Sequence, residues 1–90
     1  MDNGRFEELC KEIVVGYSND HVHNEDGKQI TKEDVFIVWI CKTLQNNKAL
    51  LSTKIPGDGM YYEITYNGDK QQIYLDAYRK VENVAINVVE

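Results

Sequence analysis

From Asn3 onward the apolar side chains fall at Phe6, Leu9, Cys10, Ile13, Val14 and Tyr17, three and four residues apart. That spacing gathers them on one side of a helix and predicts an amphipathic helix over about residues 3–20. Asp2 or Asn3 can cap its start, and Glu7 can pair with Lys11 one turn on. The polar run "NDHVHNEDGKQ" then reads as the loop that ends it.

After Asp34 the pattern changes. "VFIVWICKTLQ", "KALLSTKI", "MYYEITY" and "KQQIYLDAY" are rich in β-branched and aromatic residues, with Asn46-Asn47, "PGDG" and Asn67-Gly68 between them. They predict four strands, at about 35–45, 48–55, 60–66 and 70–78. Asn-Gly is the strongest short hairpin signal, because a type I′ turn needs two residues that tolerate positive φ. The expectation is an α+β fold in one domain, residues 1–90. Its N-terminal amphipathic helix packs on a four-stranded antiparallel meander sheet, and residues 79–90 form an extended C-terminal tail.

Turn lengths can be tested by asking which of them keep apolar residues on one face, since a one-residue slip sends every side chain to the other side. A two-residue turn at Asn67-Gly68 pairs Tyr62 with Ile73. The same at Asn46-Asn47 pairs Leu44 with Ala49, and a four-residue "PGDG" loop pairs Leu51 with Ile64. All three agree on a core face of Phe36, Val38, Ile40, Leu44, Ala49, Leu51, Ile55, Met60, Tyr62, Ile64, Tyr66, Ile73, Leu75 and Ala77. Lys42 is the misfit in that set.

The opposite face then carries one row across four strands: Trp39, Lys54, Tyr61 and Tyr74, flanked by Ile37, Cys41, Leu50 and Tyr78. One helix cannot cover both sides of a sheet. The outer face must stay exposed, be covered by the tail, or meet another chain. In the tail, Val84, Ile86 and Val88 alternate as in a strand, with Val81 out of phase.

Composition narrows the choice. Ninety residues with 42% hydrophobic and 28% charged positions describe one ordinary globular domain. The start lacks a signal-peptide pattern, and no run reaches the length of a membrane span, so a cytoplasmic protein with no membrane role is expected. Cys10 and Cys41 make no metal spacing and read as reduced thiols.

The net charge is −5. Its excess sits in residues 1–34, where Asp2, Glu7, Glu8, Glu12, Asp20, Glu25, Asp26, Glu33 and Asp34 face only Arg5, Lys11, Lys28 and Lys32. Such a field disfavours nucleic acid and acidic membranes.

Two phrases, "CKTLQNNKALLST" and "MYYEITYNGDKQQIYLDAYRK", resemble a family of short, uncharacterised proteins encoded by phages and prophages of Gram-positive bacteria. The likeness runs from about Phe6 to Ile86. It implies a bacterial host cytoplasm and a phage accessory role, and it carries no functional residue over.

Candidate chemistry is sparse. His21, His23, Glu25 and Asp26 in "HVHNED" are the one cluster of metal-type ligands, and a solvated loop at a helix end explains them as well. "NGD" and "PGDG" have a turn's reason for their glycines. No catalytic residue, metal or cofactor is therefore assigned, and no enzyme is expected. Aromatic rings on an open sheet could stack nucleic-acid bases, but Lys54 is the only cation in the row, with Glu63 and Asp76 on the same face. Aromatic residues dominate protein interface cores. The expected function is contact with a protein partner or a second copy, as a homodimer, through Trp39, Lys54, Tyr61, Tyr74 and Tyr78. The alternative is a small nucleic-acid-associated protein using the same rings.

Overall fold

The structure, a computed structural model, describes residues 1–22, 27 and 29–89. Helix α1 spans Asn3–His21. Asp2 caps it, its carboxylate accepting from the Arg5 amide at 2.9 Å, and Glu7 pairs with Lys11 at 3.7 Å. That hydrogen bond holds the Asp2 carboxyl below its usual range. A short 3-10 turn, Lys32–Asp34, is tied to the helix by Lys32, which meets Glu8 at 3.0 Å and Glu12 at 3.8 Å. Asn19 holds Ile30 through two hydrogen bonds with its backbone.

Strands β1 (Val35–Thr43), β2 (Asn46–Thr53), β3 (Met60–Asn67) and β4 (Gln72–Arg79) follow as an antiparallel meander in the order β1-β2-β3-β4. The expected α+β architecture is the observed one. Phe6, Cys10 and Val14 of α1 are buried against Val35, Ala49, Leu51, Met60, Tyr62 and Ile64. The helix lies over β1 and β2. Tyr17 reaches Tyr62 edge-on at 5.7 Å.

The turns are not where the asparagines suggested. β1 and β2 join through Leu44-Gln45, and Asn46 and Asn47 are strand residues. Asn47 is buried and donates to Met1 O and Asn3 Oδ1, tying the helix start to the sheet. β2 ends at Thr53 rather than Ile55, because the Asp58 carboxylate gathers the next loop by accepting from the Thr53 hydroxyl and the Met60 amide. β3 and β4 join through residues 68–71, where Asn67 Oδ1 accepts from the Lys70 amide and Gln71, not Gly68, takes the positive φ. Gly68 serves a different need. A Cβ there would lie 2.3 Å from Gln45 O, so its lack of a side chain lets the two hairpin loops touch.

Every observed register therefore differs from the expected one. Leu51 stands opposite Tyr62, and Tyr62 opposite Ala77. The displacements are even in number, which preserves faces. One irregularity is not even: a bulge between Ile37 and Trp39 puts Val38 out of pairing. It reverses the phase of the first half of β1, turning Val35 and Ile37 to the core and leaving Phe36 and Val38 exposed, against expectation. Leu44, also expected in the core, sits exposed in the turn. Lys42, the misfit, is exposed opposite Asn47, where its charge also favours the Asp2 carboxylate.

Beyond Arg79 the chain takes no helix, strand, turn or bend through residue 89. The Lys80 amide donates to Gly59 O, and the rest leaves the sheet exposed. The radius of gyration is 14.9 Å, where about 12 Å is usual for this length, and the thinnest dimension is 19 Å. A helix-on-sheet pair with one open side has that shape.

Candidate functional site

The outer face of the sheet is built by alternation. Where Ala49, Leu51, Tyr62 and Ile64 point to the helix, their neighbours Lys48, Leu50, Ser52, Tyr61, Glu63 and Thr65 point away. Pairing arranges these as three rows. The first runs Phe36, Ser52, Tyr61, Tyr78, the second Trp39, Leu50, Glu63, Asp76, and the third Cys41, Lys48, Thr65, Tyr74.

The expected single row of Trp39, Lys54, Tyr61 and Tyr74 is thus corrected. Tyr61 faces Tyr78, and Tyr74 faces Thr65. Trp39 stands opposite Leu50, one row from Tyr61. Lys54 lies past the end of β2, exposed, with its amide donating to Asp34 O. It does not join the rings. The bulge brings Phe36 and Val38 to this face instead. "VFIVWIC" is apolar at every position, so its pattern carries no phase from which their side could be read.

Phe36, Val38, Trp39, Tyr74 and Tyr78 are each 41–50% exposed. Neither α1 nor the tail covers them, since tail residues Val81, Val84, Ile86, Val88 and Val89 are themselves 62–97% exposed. Among them sit two carboxylates directly opposite each other, Glu63 and Asp76. Like charges in that position repel. Glu63 is partly compensated by Lys48 at 3.6 Å and by the Tyr78 hydroxyl, which donates to it at 3.3 Å. Glu63 in turn holds the Tyr78 phenol above its ordinary pKa, with burial and Asp76 adding to the effect. No ion pair to Asp76 is present among the described residues.

Other candidate groups are engaged elsewhere. The Cys10 thiol is buried in the core, and burial pushes it up to about 12, far from the thiolate a nucleophile needs. His21 stacks on Tyr17 with ring centres 4.2 Å apart, its Nδ1 3.1 Å from Tyr17 O. His23, Glu25 and Asp26 lie outside the described residues. Among the described residues no three His, Cys, Asp or Glu side chains gather as a metal site, and no helix is long and apolar enough to cross a membrane.

A family model described as a family of unknown function, DUF6275, matches residues 7–88, and the chain belongs to that family. No curated protein and no solved structure matches it.

Proposed function

Taking the chain as a member of DUF6275, we propose that it works without catalysis, as a phage-encoded accessory protein in the bacterial cytoplasm that binds another protein through its outer sheet face. The observation that carries the reading is the row structure of that face: five large apolar side chains left half in water, with Leu50 and Tyr61 between them. Contiguous apolar surface of this kind on a small domain marks a binding site. Four strands about 4.8 Å apart and eight residues rising about 3.3 Å each give roughly 500 Å². A standard interface takes about 800 Å² per partner, so one face supports a modest contact.

The Glu63–Asp76 pair states what the partner brings. A Lys or Arg set among apolar side chains would relieve the repulsion while the rings close around it. The phrases that resemble phage and prophage proteins support the setting. The chain's negative charge weighs against a phosphate backbone. Capture from a Gram-positive host lysate, using wild type and Trp39→Glu/Tyr78→Glu, tests the proposal. A protein held by wild type and lost by the variant is expected. Salt-sensitive binding of single-stranded DNA or RNA, lost in the same variant, would establish the nucleic-acid alternative.

A further inference from the structure

The sheet ends in two unlike edges. β1 is broken by the bulge at Val38, a common device for spoiling an edge. β4 has no bulge, no proline and no lysine, and its outer backbone groups pair with nothing in the sheet. Out of β4 runs a segment with strand-like alternation, Val84, Ile86 and Val88, that also pairs with nothing among the described residues. An unguarded edge and an unpaired apolar strand lie on the same chain.

They do not satisfy each other within one copy. Pairing the tail with its own β4 requires a tight reversal near residues 80–82, where the chain runs on without one: no described residue after Gln71 has a positive φ, and none from Lys80 to Val89 lies in a turn or bend. We infer that the tail of a second copy occupies the β4 edge, and that the exchange is reciprocal.

Symmetry then sets the register. In an antiparallel pair, opposed residues share a face, so two identical strands related by a two-fold axis must place one residue opposite itself. Lys80 at the axis sets lysine against lysine, Glu82 sets glutamate against glutamate, and Arg79 sets arginine against arginine. Val81 at the axis sets valine against valine, and Lys80 then faces Glu82 of the second copy on both sides. The same register places Tyr78 opposite Val84, Ala77 opposite Ala85, Tyr74 opposite Val88 and Ile73 opposite Val89. Asp76 with Ile86 and Leu75 with Asn87 are the mixed pairs. It also gives a place to Val81, which is out of phase with the tail's other valines because it belongs to the axis.

Each sheet gains a fifth strand by this exchange. Because the axis is perpendicular to the sheet, both outer faces point the same way. The inference uses an edge, not the face, and so stands apart from the preceding proposal.

Light scattering over a dilution series and oxidative cross-linking test it on the full chain. Wild type is expected to be a dimer. Ala85→Pro/Ile86→Pro should make it a monomer that still unfolds cooperatively, its melting temperature no longer rising with concentration, because one of two adjacent amides must point at the neighbouring strand. Lys80→Glu and Glu82→Lys should each weaken the dimer by roughly tenfold, every pair being counted twice, and their combination should restore it. In a Cys41→Ser background, Val81→Cys should cross-link on oxidation, whereas Lys80→Cys should not, its thiols standing too far apart along the strands. A monomer at every concentration would overturn the inference. So would a dimer indifferent to the proline variant but lost on Trp39→Glu/Tyr78→Glu, or a cross-link favouring position 80.

Discussion

The two faces of this sheet are made by the same strands, one residue out of step, and they have opposite fates. Tyr62 is fully buried beneath α1, while Tyr61, its neighbour, lies on the other side opposite Tyr78. Burial on the helix side supplies the domain's core. The outer side holds comparable aromatic surface with no element to cover it. Chemical character alone therefore does not say which rings fold the protein; the helix decides, because it reaches only one side.

The most direct way to break this comparison is truncation on each side. Tyr62→Ala removes a ring packed against Tyr17 and should cost roughly 3–5 kcal/mol, a large part of a small domain's stability. Tyr61→Ala, half-buried on the open face, should cost less than about 1 kcal/mol. Urea denaturation of both variants checks this. Equal losses would mean that both faces are core.

Next in size is Gly68→Ala. The added methyl meets the Gln45 carbonyl oxygen, which belongs to backbone and cannot swing aside, so the two hairpin loops must part. A loss of about 1–3 kcal/mol is expected in thermal or denaturant unfolding. Both faces should suffer together, since parting the loops strains the adjacent end of the β2–β3 pairing that both faces share.

Gly68 also shows how far the sequence could be read. Its glycine, Asn67 and the Asn46-Asn47 pair were visible, but their jobs were not. Asn46 and Asn47 resemble turn residues, yet Asn46 accepts from the Gly68 amide and Asn47 holds the helix start. Both tasks exist only once distant segments have met. The faces were nevertheless legible, because hydrophobic alternation constrains parity, and turns misplaced by even numbers leave parity intact. That safeguard failed in β1, whose unbroken apolar run records no phase and so concealed the bulge at Val38. The candidate site inherited the error: its side of the sheet was legible, whereas the row through Lys54 was not.

A subtler separation of the two faces comes from phenol titration. Tyr62 and Tyr78 are both held above the ordinary tyrosine pKa, but burial is the main cause at Tyr62 and the Glu63 charge at Tyr78. For either group the folded pKa exceeds the unfolded one. The stability it contributes is whole below the unfolded value, near 10, and is lost as pH rises through the folded value. Salt screens an exposed charge and leaves burial alone. In ultraviolet difference titrations, added salt should bring the Tyr78 midpoint down, as read against Tyr78→Phe, and leave that of Tyr62 in place. Movement of both would place Tyr62 under charge control as well.

The smallest effect asks whether exposure alone, or membership of the outer face, marks a binding residue. Leu44 is the control. It is 85% exposed, more so than any ring on the outer face, but it sits in the β1–β2 turn with φ 55°, a conformation that favours Asn or Gly over a branched side chain. Leu44→Asn should relieve that strain and raise stability by about 0.5–1 kcal/mol, read as a small rise in melting temperature. If the outer face binds by its arrangement, this variant should capture the same partner as wild type. Loss of capture on Leu44→Asn would instead show that the binding surface reaches around the end of the sheet to the turn, and that the two faces differ less than their burial implies.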